Sequence, residues 1–209
     1  RSPHDSVRMV QTIYAWGRAE QEAGSLAQAE DLYEAALPVC RSRLVDIDPT
    51  LAIRTVIAAG DVSRQLEKYD AALHYFREAQ QWAAKKHDTE HELLALRNLA
   101  SIYASRWQLE LAASTYRQLM DRQEISESAH VLEDILALNN VYLTLGDIHL
   151  VERSLKLAEL HVDELGPQSE RALNLRHQRA MTLFLRYSEA RDGWGALNEQ
   201  KREQARQHR

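Results

Sequence analysis

The stretch LEKYDAALHYFREA, Leu66–Ala79, places its apolar residues on one side of a helix. Leu73 and Phe76 recur with alanines at helical spacing, so the pattern predicts an amphipathic helix. Two positions on its apolar side, Ala72 and Ala79, are small. Helix axes lie about 8–10 Å apart, and the closest approach needs small side chains at the crossing. The pattern therefore predicts a second helix packed tightly on this one.

The same pattern recurs along the chain. Copies occur in the segments Ala23–Leu37, Arg106–Met120, Leu145–Leu160 and, more weakly, Leu185–Leu197. The small residue that anchors each copy falls at Ala29, Ala72, Ala112, Val151 and Ala190. Successive anchors are 43, 40, 39 and 39 residues apart. A period near 40 with a turn inside each unit is typical of a helical solenoid.

Another helix precedes each copy, with the spacing apolar-x-x-apolar-small-x-x and often Tyr. In the third copy these positions are Leu96, Leu99, Ala100 and Tyr103. The following helix carries a small residue and, four positions later, an aromatic one; the pairs are Ala29/Tyr33, Ala72/Phe76 and Ala112/Tyr116. Together the two patterns resemble the tetratricopeptide repeat (TPR), in a long variant of about 40 residues.

The resemblance implies an all-α fold, a right-handed α-solenoid (superhelix) of about five helix-turn-helix repeats. It covers residues 7–197, after an N-terminal extension at 1–6, with repeats near 7–46, 50–87, 90–124, 129–165 and 168–197. Residues 198–209 are predicted to form a polar C-terminal helix, a cap or a linker. In the fifth copy the first-helix anchors would be Asn174, His177, Gln178 and Met181, of which only the last is apolar.

The resemblance also implies how each helix pair packs. The small first-helix residues Gly17, Gly60 and Ala100 are expected to face the anchors Ala29, Ala72 and Ala112. The aromatic residues Tyr33, Phe76 and Tyr116 are expected to fill the wedge toward the next pair. The Asp48-Pro49 and Gly166-Pro167 dipeptides are predicted helix starts. Pro38, inside the second helix of the first copy, is predicted to kink or end that helix.

The composition agrees with a helical globular chain, since Ala, Leu, Glu, Gln and Arg are good helix formers. The 209 residues are 44% hydrophobic and 27% charged, with seven Gly and four Pro. The sequence has no apolar run near the roughly 18 residues of a membrane span and no secretory signal pattern. Cys40 is the single cysteine, which favours a reducing compartment and a cytoplasmic location. The net charge of −5 argues against a nucleic-acid-binding surface.

No pattern for catalysis is found in the sequence. It contains no G-x-G-x-x-G motif and no P-loop. The HDTEH segment, His87–His91, has two histidines four residues apart, but a metal site needs a third ligand, so a polar connector is the preferred interpretation. Cys40 is interpreted as a small buried residue rather than a nucleophile. We therefore predict no enzyme, no metal and no cofactor.

In the repeat family the concave face is lined by the first helices. The positions beside the packing anchors are Tyr14, Arg18, Arg54, Arg64, Arg97, Asn98, Asn140, Arg176 and Arg179. Arginine offers a rigid two-pronged donor for carboxylates, and asparagine can donate and accept at once, which suits an extended peptide backbone. The alternative interpretation is a solvated face whose arginines pair with neighbouring acids.

Two functions remain in competition. The first is a protein–protein interaction module that binds an extended acidic or carboxylate-bearing peptide in this groove. The second is a ligand-sensing or dimerising regulatory domain of a larger signalling or transcription-regulatory protein. RNA binding by helical repeats is disfavoured by the acidic balance.

The C-terminal end offers a candidate oligomer interface. Tyr187 and Trp194 are large aromatic residues in the copy whose first helix lacks apolar partners, and exposed aromatic patches indicate interfaces. We expect a homodimer through this end or continuation into a further domain; the alternative is that the C-terminal tail buries both residues. The chain begins with Arg1 rather than Met, so it is expected to be a fragment of a longer protein or a processed chain.

Overall fold

The computed structural model describes residues 3–123, 130–160 and 169–207, with the backbone alone for Pro3, Arg43, Gln123, Leu160, Glu189 and 191–207. The described residues are helical or lie in short turns, and they include no strand. The α-helices are α1 (Pro3–Glu22), α2 (Leu26–Val39), α3 (Val45–Ile47), α4 (Pro49–Gln65), α5 (Tyr69–Lys86), α6 (Thr89–Ser105), α7 (Leu109–Gln123), α8 (Val131–Leu145), α9 (Ile148–Leu160) and α10 (Glu170–Gln207). No helix within these ranges is both long and apolar enough to cross a membrane.

The chain divides into two compact units, Arg1–Ser128 and Ala129–Arg209. In the first unit, α1 packs on α2, α4 on α5 and α6 on α7, each pair joined by a turn of three residues. Such short turns make the helices of a pair antiparallel. Neighbouring pairs also pack together, α2 against α4 and α5 against α6. The unit is therefore a stack of three helix pairs.

The turns inside the helix pairs share one backbone conformation. Gly24, Glu67 and Trp107 in the first unit, and Gly146 in the second, all have a left-handed backbone, with φ between 58° and 81°. The amide that follows each of them donates to the carbonyl five residues earlier, as in Lys68 N to Ser63 O at 2.8 Å. This is the bond that closes a Schellman motif and satisfies a helix-end carbonyl. Glycine is the residue that adopts this conformation without strain.

Close packing inside the pairs depends on aromatic rings lying on glycines. A Cβ added at Gly17 would lie 2.7 Å from Tyr33 Cε1, and one added at Gly60 would lie 3.0 Å from Phe76 Cε1. Both rings are fully buried. The atoms nearest to each glycine belong to the ring of its own pair's second helix, not to the anchor alanine that was expected to face it. A ring flat on a glycine fills the space that two small residues would leave empty.

Pro38 and Asp48 shape the segment that connects the first helix pair to the second. Pro38 lacks the amide that would bond the carbonyl four residues earlier. As predicted, α2 ends just after it, at Val39, and residues Cys40–Leu44 continue as a π-helix. Asp48 then caps α4, since its carboxylate accepts from Leu51 N at 3.0 Å, with Pro49 at the first helical position. The predicted start at Asp48-Pro49 is confirmed, while Gly166-Pro167 lies outside the described residues.

At the N-terminus the structure differs from the expected extension at 1–6. Helix α1 already begins at Pro3, and Ser6 is buried within its first turns.

The second unit contains one helix pair, α8 and α9, and a long helix α10 that packs on both. The fifth copy was expected to be a pair, but α10 continues unbroken from Glu170 to Gln207. No turn separates two helices there, and the backbone stays helical even across Gly193 and Gly195. The expected anchors are also shifted. Gln178 is buried, whereas Asn174, His177 and Met181 are exposed; the packed face is formed by Ala172, Leu175, Gln178 and Thr182.

We predict that Glu67→Gly raises the free energy of unfolding by about 0.5–1 kcal/mol, because glycine relieves the left-handed strain at φ 58°. Urea denaturation measures the change. Glu67→Ala is the matched control, since it removes the same exposed side chain but keeps the strain, and it should change stability little. A destabilising Glu67→Gly would contradict the turn analysis.

We predict that Gly17→Ala lowers the free energy of unfolding by about 1–3 kcal/mol, because the buried Tyr33 ring cannot move aside. Helix propensity alone would give the opposite sign, a gain of about 1 kcal/mol. Repeating the substitution in a Tyr33→Leu background separates the two effects. In the Tyr33→Leu background the loss of unfolding free energy caused by Gly17→Ala should largely disappear. An equal loss in both backgrounds would show that contact with the Tyr33 ring is not its cause.

Candidate functional site

The first helices of the three pairs in the first unit form a cavity. Helix α4 contacts both α1 and α6, so the three helices lie side by side. The cavity has a volume of about 680 Å³. Its lining residues are Tyr14, Arg18, Gln21, Glu22, Arg54, Ile57, Ala58, Asp61, Gln65, His91, Leu94 and Asn98.

The cavity lining comes from the first helices of three successive pairs. Tyr14, Arg54 and Leu94 are separated by 40 residues at each step, and so are Arg18, Ala58 and Asn98. The packing positions Gly17 and Gly60 are 43 residues apart, so Tyr14 corresponds in the repeat to Ile57, whereas Arg54 corresponds to Leu94. The surface of the cavity is thus assembled from residues that are far apart in the sequence.

Arg54 is an exposed positive charge of this site. Its guanidinium donates to Tyr14 Oη at 3.3 Å, and its central carbon lies 5.0 Å from the centre of the Tyr14 ring. Such a cation–π contact orients the guanidinium without neutralising its charge. Within the part of the chain that the structure describes, Arg54 makes no ion pair with a carboxylate. Its remaining donors are available to an anionic ligand.

The carboxylate of Asp61 accepts hydrogen bonds from three neighbouring side chains. It accepts from Gln21 Nε2 at 2.7 Å, from Gln65 Nε2 at 2.9 Å and from Arg64 Nη2 at 2.6 Å. The bond from Gln21 joins α1 to α4. Arg64, predicted as a groove residue, lies outside the cavity lining and is occupied by Asp61.

Tyr33 connects this polar group to the core. Its hydroxyl lies 3.5 Å from Gln21 Oε1. Burial, with a smaller contribution from Tyr14, raises the pKa of Tyr33 to about 12. The phenol therefore stays protonated and remains a hydrogen-bond donor at neutral pH.

The charge of Arg18 is compensated at the edge of the cavity. Arg18 Nη2 lies 2.5 Å from Glu22 Oε1, one helical turn further along α1. Glu22 and, secondarily, Tyr14 hold the pKa of the Arg18 guanidinium above its ordinary value. Both partners are exposed, so the pair contributes little to stability. For Arg18 and Arg64 the geometry matches the alternative interpretation, arginines paired with neighbouring acids.

The apolar part of the cavity was not predicted. Ile57 and Ala58 are buried, and Leu94 stays 36% exposed beside them. Asn98 Nδ2 donates to Leu94 O at 2.9 Å, which leaves the Asn98 Oδ1 directed away from that bond. The available sequence signal was the 40-residue step from Arg54 to Leu94. It was missed because Leu94 adjoins the packing residue Leu93.

The remaining predicted groove residues lie elsewhere. Arg97 is half-buried on α6, outside the cavity lining. Asn140, in the second unit, lines a separate cavity of about 590 Å³ and accepts from Gln178 Nε2 at 2.9 Å. Arg176 and Arg179 are exposed on α10, and Arg179 pairs with Glu159 at 3.1 Å. The structure thus brings together Tyr14, Arg18, Arg54 and Asn98 out of the nine.

Charged side chains that line the cavity around Asn140 are already paired. Glu133 bonds His130 Nδ1 at 2.8 Å and also pairs with Arg171. His130 first, and then Arg171, hold the pKa of the Glu133 carboxyl below its ordinary value. With Glu133 paired and Asn140 bonded to Gln178, this second cavity offers fewer available groups than the one around Arg54.

Groups with catalytic or metal-binding chemistry were also located. Cys40 is buried, and burial raises the pKa of its thiol to about 11. In the HDTEH segment, Asp88 caps α6 and lies 2.9 Å from His91 Nδ1, while His87 ends α5 with a left-handed backbone. Over residues 3–123, 130–160 and 169–207, no three His, Cys, Asp or Glu side chains are grouped to hold a metal ion.

Comparison by structure identifies the fold. A putative kinesin light chain from Podosopora anserina with nearly identical TPR-like repeats matches with a TM-score of 0.70 at 18% identity, over 100% of both chains. BtubC (BKLC) from P. vanneervenii matches at 0.68 and 21%, over 93% of this chain and 84% of its own. A tetratricopeptide repeat protein from Parabacteroides merdae ATCC 43184 matches at 0.65 and 20%, over 88% and 62%.

Comparison by sequence gives no match to a family model or to a curated protein. The structural likeness nevertheless confirms two predictions. The chain is an all-α solenoid, and its repeats have the TPR type of fold.

Proposed function

We propose that this chain is a protein–protein interaction module that binds an extended acidic or carboxylate-bearing peptide in the cavity of its first unit. The observation that supports this most is Arg54, a cation held on an aromatic ring, without a carboxylate partner among the described residues, above an apolar surface. A carboxylate accepting two bonds from a guanidinium is a strong, directional contact.

The shape of the cavity favours an extended segment. Neighbouring helix axes lie about 8–10 Å apart, which equals about three residues of extended chain at 3.3 Å each. A peptide crossing from α1 to α6 would therefore advance by about three residues for each helix that it passes. The volume of the cavity, about 680 Å³, also lies in the range of ligand pockets, roughly 300–1,000 Å³.

The lining gives each part of such a peptide a partner. A carboxylate would bind Arg54, an apolar side chain would cover Leu94 and Ile57, and a backbone amide would donate to Asn98 Oδ1. Arg18 and Arg64 are already paired, so they would contribute less. The proposal thus narrows the six predicted arginines to one principal residue.

The single buried Cys40 suits a reducing compartment, and we propose a cytoplasmic location on that ground. A protein or peptide partner, rather than nucleic acid, follows from the net charge of −5.

The first step of the test is selection of ligands. A random octapeptide library displayed on phage is selected against the purified chain. We expect the enriched peptides to contain Asp or Glu near a large apolar residue. Enrichment of basic or uncharged peptides would reject the carboxylate part of the proposal.

The second step measures which residues bind the selected peptide. Arg54→Gln and Asn98→Ala should each weaken its affinity by about 1–3 kcal/mol, on the order of 10- to 100-fold, as seen by fluorescence anisotropy. Arg106→Gln is the matched control, because Arg106 is an exposed arginine of the same unit that pairs with Asp70 outside the cavity. Equal affinities for all four proteins would place the binding site elsewhere.

A further inference from the structure

Helix α10 carries large apolar side chains on an exposed face. Its packed face, with Ala172, Leu175, Gln178 and Thr182, is buried against α8 and α9. The side chains on another face are exposed, 48% for Leu173, 65% for Leu183, 64% for Phe184 and 69% for Tyr187. At 100° per residue these four centre on the side of α10 away from the packed face. Large apolar side chains grouped on an exposed face indicate a contact surface.

The exposed residues are spaced like a helix–helix seam. Leu173, Ala180 and Tyr187 follow one another at intervals of seven residues, and Phe184 comes four residues after Ala180. Apolar residues at alternating steps of four and three form the contact line of paired helices. We call the set Leu173, Ala180, Phe184 and Tyr187 the α10 seam.

The length of α10 limits what can cover this seam. Its 38 residues span about 57 Å, whereas α8 and α9, with 15 and 13 residues, span about 20 Å each. More than half of α10 therefore extends past both neighbours. Helices gain most of their stability in water from packing an apolar face. A second α10 supplies a helix of equal length with the same seam.

We propose that a second copy of this chain covers the α10 seam, with the two α10 helices antiparallel about a two-fold axis beside Leu183 and Phe184. In that register Ala180 of each copy lies opposite Tyr187 of the other, and a small residue against a large one packs well. Two such helices present identical patches to each other, as a two-fold interface requires.

The area is sufficient for such a dimer. Aromatic side chains bury about 150–250 Å² each, so the four exposed large residues and Met181 would remove on the order of 500 Å² per copy from water. The pair then reaches about 1,000 Å², the lower size of specific interfaces, where micromolar affinity is expected. The residues involved belong to α10 and none lines the cavity around Arg54. This proposal can therefore fail without the proposed function failing, and the reverse.

The oligomeric state tests the seam. Sedimentation of the 209-residue chain at concentrations up to the order of 100 µM should show a dimer, and Phe184→Glu should weaken it at least 100-fold. Trp107→Glu is the matched control, because Trp107 is 75% exposed but lies in the first unit. It should leave the dimer intact. A monomeric wild-type chain, or a dimer lost in Trp107→Glu and kept in Phe184→Glu, would overturn the proposal.

Disulfide cross-linking tests the orientation. Under mild oxidation Leu183→Cys, next to the axis, should form a covalent dimer, whereas Leu173→Cys should not. Cys40 can stay in place because it is buried. Cross-linking of both variants would indicate parallel helices and contradict the antiparallel arrangement, and cross-linking of Leu173→Cys alone would contradict the register.

Discussion

The contact on which the first unit depends is an aromatic ring lying on a glycine. Tyr33 covers Gly17 and Phe76 covers Gly60, and a Cβ added at these glycines would lie 2.7 Å and 3.0 Å from the rings, so that a ring or a helix would have to shift. This contact fixes how closely the two helices approach in the first two pairs, whereas the third pair has Ala100 in place of the glycine. The geometry shared by the first two pairs places α1 and α4, two of the three helices that line the cavity, beside each other.

Polar contacts between successive helix pairs keep the pairs in register. Bonds join Gln21 to Asp61, Tyr14 to Arg54 and Asp46 to Lys86, each across 40 residues. Lys86 holds the pKa of the Asp46 carboxyl below its ordinary value. Exposed pairs of this kind contribute little free energy. Their effect is to favour one alignment of neighbouring helices, and that alignment places Tyr14, Arg54 and Leu94 beside one another.

The repeat and its helices could be predicted because they depend on local spacing, as in the small anchors Ala29, Ala72 and Ala112. Three features could not. The partner of Gly60 depends on where the Phe76 ring turns, which spacing does not determine. The pairing of Arg18 with Glu22 depends on side-chain conformation. The unbroken α10 was not predicted because the weak match of Leu185–Leu197 to the repeat suggested a turn before it, and turns of this chain such as those at Glu67 and Trp107 carry no Gly or Pro signal.

Of the residues that the sequence analysis placed on one surface, Tyr14, Arg18, Arg54 and Asn98 line the cavity. The sequence did not distinguish Arg54 from Arg64, because the difference depends on their neighbours in the structure. Arg64 pairs with Asp61, whereas Arg54 lies on the Tyr14 ring. Leu94 was missed because an apolar residue in a helix is normally assigned to the core. Its partial exposure becomes visible only when α4 and α6 are placed side by side.

The central claim is that residues from the first helices of three successive repeats act as one binding surface. The most direct measurement is an NMR titration of the isotope-labelled chain with a peptide selected against it. The account predicts that the largest shifts occur together at Tyr14, Arg54, Leu94 and Asn98, on α1, α4 and α6. Shifts confined to α2, α5 and α7, or to one helix alone, would contradict it.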